Sequence, residues 1–507
     1  MKDAVLSTSM KMLEISQEMR NGSKIKLSTQ IALVLSLSTP AILEQLAHTA
    51  MSYIDTAMVG SLGHEATASI GVVASSTWLI GGITSAVAIG FSVQVAQMIG
   101  AGKNKDARSV LCQAIKFNVY FGILLAFIAY LIGFGLPKML GAEEALRANA
   151  TAYFQIYALF LPFSLASALY SSILRCSGNI LLPSLMNIGM CVLDVIFNLI
   201  FIYQTREVGG ITLYGAGMGI KGASLGTGLA MATTAIILFL FTIKGKGVLK
   251  LTKDDDWHFR KSTMKNLAYI ATPSALERIT ISLAQIVLTG VVASMGAVAI
   301  ASNYVAVQTE GICYLPAYGI SSAATAMVGQ SLGAGRKDMA KRFAYLSVLM
   351  SFLLVVVTAS LLFYFAPFLT GLLTHDQEVI ELGSRVLKIV SFSEPLFAVS
   401  IVAIGALRGA GDSKVPFYMN LVSMWGVRVL TVLLFTRQFG VVGVWISMTI
   451  ELCFRGIIFL YRLIRGNWLN TVLAQYQIIS IENLASFLAY FSMELSNSIS
   501  QLRSFRK

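Results

Sequence analysis

The sequence predicts an all-α integral membrane protein of twelve transmembrane helices, arranged as two parallel six-helix repeats that form two lobes. Three observations carry this. Hydrophobic residues make up 56% of the chain and charged residues only 12%, and the mean hydropathy of +0.73 lies outside the range of a soluble globular domain. Apolar runs long enough to span a bilayer, about 20 residues each, recur along nearly the whole length. One block is also written twice, at a constant spacing of 233 residues.

In that repeat Thr39-Pro40 returns as Thr272-Pro273, Glu44 as Glu277, and Ser61 and Gly63 as Ser294 and Gly296. Gln97 and Gly100-Ala101-Gly102 return as Gln330 and Gly333-Ala334-Gly335. Pro162, Leu174-Arg175, Gly178, Pro183 and Asn187 return as Pro395, Leu407-Arg408, Gly411, Pro416 and Asn420. Duplicated apolar halves are the signature of a secondary transporter whose site lies between two lobes.

The predicted spans run, in order, 29–61, 66–98, 113–136, 152–176, 181–203 and 219–243 in the first half. The second half gives 264–294, 299–331, 346–370, 385–408, 417–436 and 440–462. The first two spans of each half exceed a bilayer thickness, which predicts tilt or a bend, with Pro40 and Pro273 as bend points. Six spans per half is an even number, so both copies enter from the same side, related by an axis along the membrane normal.

These spans divide the chain into an N-terminal segment (1–28), an N-lobe (29–243), an inter-lobe loop (244–263), a C-lobe (264–462) and a tail (463–507). The first segment carries Glu14, Glu18 and Arg20 without a continuous apolar core, so it reads as a cytoplasmic, helical lead-in rather than a signal peptide. The tail is too interrupted for another span.

The net charge of +13 would point to nucleic acid in a soluble protein. Here the basic residues cluster in short inter-span loops, so no nucleic-acid partner is expected. Lys103, Lys105 and Arg108, the loop from Lys244 to Lys265, and Arg336, Lys337, Lys341 and Arg342 all fall on one side. The opposite loops hold acids such as Glu143, Glu144 and Glu378. Because Lys/Arg bias sets orientation, both termini are placed in the cytoplasm, in a multi-pass protein of the cell (plasma or inner) membrane. The Asp254-Asp255-Asp256 run reads as a charged turn. Five scattered cysteines and four dispersed histidines give neither a disulfide framework nor a metal site.

Carboxylates deep in a span cost roughly 2.5–3.5 kcal/mol on insertion scales and normally face a cavity. Asp55 lies late in span 1. Glu44, eleven residues earlier, shares its face at about 100° per residue. Span 5 aligns Asn187, Asp194 and Asn198 in one polar stripe. No basic residue in either span neutralises Asp55 or Asp194, and neither acid is repeated: the matching positions are Leu288 and Val427. This places the coupling site in the N-lobe at Asp55, Asp194, Asn198 and Asn187, with H+ or Na+ as the coupling ion and Na+ sitting at Asp55, Asp194 and Asn198.

In the second lobe Glu310, close to Gln308 and Asn303 and without a basic neighbour, is a candidate cavity residue, as is Glu394 beside Pro395. Glu277, repeating Glu44, reads equally as a helix-end structural residue. Glu451 and Arg455 form an i,i+4 structural pair. Met58, Trp78, Tyr304 and Met327 supply apolar and aromatic surface suited to flat lipophilic cations. Protonation or cation binding at the acids would change the charge of the lobe and expel a cationic substrate, which is antiport.

The sequence resembles the multidrug and toxic compound extrusion (MATE) family over residues 29–462. Four motifs carry the likeness: Asp55-Thr56-Ala57-Met58-Val59-Gly60, the paired Gln-x-x-Gly-Ala-Gly loops at Gln97 and Gln330, the Leu-Arg-x-x-Gly turns at Leu174 and Leu407, and Pro183 with Pro416. The resemblance implies a V-shaped, monomeric exporter of lipophilic organic cations and drugs, working by alternating access without a cofactor. It implies a coupling acid at Asp55 and an Asn/Asp pair on span 5. Here that pair is Asp194 and Asn198, with the acid first, the reverse of the order in some branches. Glu277 lies about one turn too early to match the acid that NorM-type members carry deep in span 7.

The alternative is a flippase of lipid-linked oligosaccharides or precursors in the same superfamily, which would need a cationic cavity; the mid-membrane charges here read as acids. An enzyme is not expected, since no HExxH, DxxD or clustered histidines occur.

Overall fold

The computed structural model describes residues 14–471 apart from 16, 22, 24, 209, 210, 245 and 246. The N-lobe contains α1 (Leu27–Gly60), α2 (His64–Gly100), α3 (Asn104–Gly133), α4 (Glu144–Leu159), α5 (Leu161–Cys176), α6 (Leu181–Phe201) and α7 (Ile220–Lys244). The C-lobe contains α8 (Lys261–Ala293), α9 (Ala297–Gly333), α10 (Lys337–Gly371), α11 (Gln377–Ser391), α12 (Glu394–Gly409), α13 (Lys414–Leu421) and α14 (Leu430–Arg465). Among the described residues eight segments are long and apolar enough to cross a membrane, and the bent pairs α4/α5 and α11/α12 bring the number to ten. The 37-residue α9 and the division of the last apolar segment at Gly440 (φ 56°, ψ −134°) complete two sets of six.

Several span edges differ from those predicted, each for a physical reason. α3 and α10 start at Asn104 and Lys337 rather than 113 and 346, because their first turns are amphipathic. They bury Ala107, Val110 and Leu111, and Met339, Ala340 and Phe343 while their polar faces stay outside, so hydropathy alone misses them. Spans 4 and 10 begin earlier and are broken, bending by 48° and 58°. Pro162 and Pro395 sit in the first turn of the second piece, where a proline lacking an N–H costs least. α1 and α8 run without interruption through Pro40 and Pro273, so the breaks fall at a different pair of repeated prolines. Between α13 and α14 the backbone is π-helical over Val422–Val429. An antiparallel hairpin, β1 (Gln204–Val208) with β2 (Ile211–Ala216), was not predicted. Its sequence signal is Gly209-Gly210 between β-formers.

The repeated glycines have a conformational cause. Gly63 and Gly296 (φ 110° and 99°), Gly102 and Gly335 (73° and 75°), and Gly178 and Gly411 (94° and 88°) all have left-handed backbones that other residues adopt only at a cost.

Each lobe has its own core. Phe91, Leu111, Leu165, Leu169 and Ile173 anchor the first; Ala324, Val355, Val402, Trp445 and Phe459 anchor the second. The lobes meet through α1 against α9 and α2 against α8. At the end of the bundle from which α1 rises, called basal below, contact is backbone to backbone: a Cβ on Gly100 would strike the Gln330 carbonyl, and one on Gly333 the Gln97 carbonyl. The same two glutamines cross between the lobes, Gln97 Nε2 donating to Gly409 O (3.2 Å) and Gln330 Nε2 to Cys176 O (2.8 Å). Ile15, Met19 and Ile25 pack at this end against Leu33, Met327, Met339 and Phe343.

The acidic run of the inter-lobe loop is a charged turn tied to α3. Asp255 pairs with Arg108 at 2.8 Å, and although burial opposes its ionisation, Arg108 and the Thr252 N–H hold the carboxyl below its usual range. The His258 backbone N–H, its ring and Arg260 hold Asp256 at about 2. Arg260 also reaches Asp106 at 3.0 Å. Of the predicted tail, Trp468 is fully buried and residues 472–507 lie outside the described residues, as do residues 1–13 of the N-terminal segment.

Candidate functional site

α6 carries Asp194 and Asn198 one turn apart, so both project from one face and are buried to 0% and 1% exposure. α1 runs beside α6 and brings Asp55 to them. One amide joins the three: Asn198 Nδ2 donates to Asp55 Oδ1 at 3.0 Å and to Asp194 Oδ2 at 3.1 Å. Asp194 Oδ1 and Asn198 Oδ1 are buried acceptors with no donor. Among the described residues no lysine or arginine pairs with either acid. Two carboxylates in apolar surroundings repel when both are ionised, and unpaired acceptors there carry a desolvation cost. A proton shared between the acids, or a small cation held by the carboxylate and amide oxygens, removes both penalties.

Two residues not anticipated from the sequence shape this cluster. Gly226 of α7 lies directly against Asn198 Oδ1, leaving no room for a Cβ. Tyr153 of α4 is close enough for electrostatic interaction with both acids. Gly226 also ends a Gly222-x-Ser224-x-Gly226 sequence with the spacing of a hydrolase nucleophile turn. Ser224 instead donates to the Tyr153 carbonyl at 2.9 Å, and Gly222 abuts the backbone of Phe201. It is a helix-packing motif.

Asn187 and Glu44 do not join this cluster. Glu44 Oε1 accepts from Arg175 Nη2 at 2.5 Å and from Asn187 Nδ2 at 2.7 Å. At the repeated positions Glu277 accepts from Arg408 Nη2 at 2.9 Å and from Asn420 Nδ2 at 2.8 Å. These Glu–Arg–Asn clamps each fasten the first helix of a lobe to its fifth span and to the end of its fourth. Arg175 and Arg408, at the ends of their spans, point inward to these glutamates. The available signal was that all three members of the clamp repeat at one spacing.

The C-lobe holds a second acid pair. Glu310 of α9 and Glu394 of α12 are 2% and 0% exposed and face each other closely enough to interact, yet neither Glu394 oxygen has an aligned hydrogen-bond partner. Glu310 was expected without a basic neighbour, but Arg428 from the π-helical turn lies within electrostatic range. Glu451 pairs with Arg455 at 2.6 Å, as their spacing predicts, accepts from Ser423 at 2.5 Å and approaches Arg428 at 4.0 Å. Gln308 contributes its carbonyl, which accepts from the Tyr53 hydroxyl of the other lobe at 3.2 Å. Asn303 accepts from Trp445 at 3.1 Å. Of the proposed apolar surface, Trp78 and Tyr304 are exposed (80% and 59%), whereas Met58 and Met327 are buried.

The MatE family profile matches residues 40–200 and 273–434, the same two halves that the internal repeat marks out. The chain is 26% identical over 445 residues to an uncharacterized transporter, YisQ, of Bacillus subtilis, covering 87% of this chain and 96% of that one. It is 25% identical over 447 residues to the probable multidrug resistance protein NorM of Thermotoga maritima, covering 86% and 92%. Among solved structures, the Vibrio cholerae MATE transporter VcmN in its bent form superposes with a TM-score of 0.79 at 21% identity, over 87% of this chain and 97% of that one.

Proposed function

The chain belongs to the MATE family of transporters, and on that premise we propose that it is a cation-coupled antiporter. It exports lipophilic organic cations by alternating access in exchange for inward H+ or Na+. The observation that carries this reading is the Asp55–Asn198–Asp194 cluster: two acids, one shared donor, two orphan acceptors and no compensating cation.

Loading that cluster with a proton or cation cancels the repulsion between Asp55 and Asp194 and changes how α1 sits on α6. Because α1 also packs on α9 of the other lobe, for instance through Tyr53 and Gln308, a shift of α1 couples the charge state of the N-lobe to inter-lobe geometry. The Glu310–Glu394 pair is a second candidate loading point. The Lys/Arg bias supports a cytoplasmic basal end with both termini inside, and we read the protein as a monomer of the plasma or inner membrane.

The flippase alternative requires a cationic cavity. Of the arginines within the helices, Arg175 and Arg408 each pair with a glutamate and Arg428 and Arg455 share Glu451, while Arg278 of α8 has no carboxylate partner among the described residues. Ethidium efflux from proteoliposomes under separately imposed Na+ and H+ gradients tests the proposal. No flux under either gradient would refute it.

A further inference from the structure

The segment leading into α1 crosses the seam between the lobes at the basal end. Met19 faces the C-lobe: its carbonyl accepts from Arg336 Nη1 at 3.2 Å, and Ser331 Oγ donates to its sulfur at 3.4 Å. The next residue, Arg20, faces the N-lobe. Its Nη1 donates to the Ile99 carbonyl at 3.3 Å and lies over Gly102, leaving no room there for a Cβ. In the 233-residue repeat Ile99 matches Leu332, Gly102 matches Gly335 and Lys103 matches Arg336. Two adjacent residues of the segment therefore bind the matching ends of α2 and α9, where Gly100 and Gly333 bring the lobes together.

The two holds are unequal. Ile15, Met19 and Ile25 are buried in one apolar cluster with Met327, Met339 and Phe343 of the C-lobe, and Arg336 also donates to the Ser23 carbonyl at 3.3 Å. Toward the end of α2, the segment makes one side-chain hydrogen bond among the described residues, from the exposed Arg20. That bond is favourable, because a guanidinium at a helix C-terminus meets both a terminal carbonyl and the negative end of the helix dipole. Three buried apolar side chains nevertheless outweigh one partly exposed hydrogen bond several times over.

The duplication supplies a control. The segment leading into α8 crosses in the same way to the opposite lobe: Val248, Leu249 and Leu251 pack into the N-lobe core, and Asp255 pairs with Arg108 of α3 at 2.8 Å. Ile15 and Arg20 match Val248 and Lys253 of that segment. Lys253 is exposed, and Gly335, the match of Gly102, has open space around it. Crossing to the other lobe thus belongs to the repeated fold, whereas the arginine laid on the far glycine turn belongs to one copy. The fold does not need it.

We propose that the segment leading into α1 is a strap that brakes opening of the basal end, with Arg20 as its release point. This rests on the alternating-access reading, in which the ends of α2 and α9 part when the basal side opens. Met19 and Arg20 can then follow only one of them. The strap stays with the C-lobe, and Arg20 lets go of Ile99 and Gly102. Weakening that contact favours the basal-open state without touching the Asp55–Asn198–Asp194 cluster.

The test measures labelling of Cys176 by a membrane-permeant maleimide in full-length protein retaining it as the sole cysteine. Cys176 is 3% exposed and packs with Ala96 and Ala326 at the seam. Arg20→Gln should raise its labelling rate about fivefold, the scale of one partly exposed charged hydrogen bond. Arg20→Lys should raise it less, and Glu18→Gln, at an exposed neighbour, should label like the wild type. In a protein retaining only Cys313, buried in the C-lobe core, Arg20→Gln should leave labelling unchanged. An unchanged Cys176 rate in Arg20→Gln overturns the proposal while leaving antiport intact. Equal rises at Cys176 and Cys313 would mean general loosening of the fold rather than release of the seam, and overturn it too. Absence of gradient-driven ethidium efflux by the wild type refutes the antiporter reading itself, a result the labelling does not depend on.

Discussion

Asp55 and Asp194 lie on different helices and share one hydrogen-bond donor, the amide nitrogen of Asn198, at 3.0 and 3.1 Å. One donor cannot offset two buried negative charges. Under the proposed antiport, this is the cluster that gains a proton or a cation.

Asp194→Asn removes one of the two charges and with it the reason to bind an ion. Efflux of ethidium, normalised to folded protein, should fall by about tenfold or more, with the melting temperature unchanged or raised because repulsion is relieved. Glu451→Gln should do the reverse. It leaves the nearly buried Arg455 and Arg428 without their carboxylate, which costs about 3–5 kcal/mol, while the surviving folded fraction transports. A larger transport defect in Glu451→Gln than in Asp194→Asn would move the coupling site out of the N-lobe.

Gly226→Ala places a methyl group where Asn198 Oδ1 sits. The amide must turn away, and its bridge to the two acids is lost. Efflux should drop several-fold with little change in expression, and Gly228→Ala would be a poor control because that position is also closed, by Phe160. Gly189→Ala, on open space, is the proper control and should be near wild type.

Glu277→Gln and Glu44→Gln test whether the clamps are structural. Each leaves a partly buried arginine without its charge partner, costing about 3 kcal/mol, at the low end for a broken buried pair because Arg408 and Arg175 keep some exposure. Both should lower the melting temperature. The double variant Glu277→Gln/Arg408→Gln should recover part of the loss, since it removes the orphaned charge. A double variant no more stable than the single would mean that the arginine is not the clamp's partner.

The basal closure depends on Gly100 and Gly333, each pressed on a glutamine carbonyl of the opposite lobe. Gly333→Val should force the lobes apart there and expose Cys176, which is 3% exposed and whose carbonyl takes the Gln330 hydrogen bond. In a protein retaining Cys176 as its sole cysteine, maleimide labelling should rise several-fold. Unchanged labelling would show that the closure does not depend on this close approach.

Much of this architecture was legible in the sequence because membrane spans announce themselves by composition and the repeat fixes their order. Less legible was what side chains do across helices. The face shared by Glu44 and Asp55 follows from helical periodicity, but their separation into a clamp and an ion cluster depends on Arg175, which reaches inward from a turn that reads as a loop. The stripe of Asn187, Asp194 and Asn198 is likewise one face serving two tiers. The C-lobe acid pair was hidden for a similar reason: Glu310 and Glu394 are 84 residues apart in sequence and meet only through packing of α9 on α12. The inference that coupling chemistry is confined to the N-lobe therefore loses its simplest support. Asp55 and Asp194 are unique to that half, but the C-lobe has its own buried carboxylates at unrelated positions.

Ethidium efflux from right-side-out vesicles, with Na+ and H+ gradients imposed separately on wild type and Asp55→Asn, tests the central claim most directly. The account predicts that one gradient drives wild-type flux and that neither drives flux in Asp55→Asn, although the variant is expressed and folded normally. Gradient-driven efflux at the wild-type rate in Asp55→Asn would contradict it.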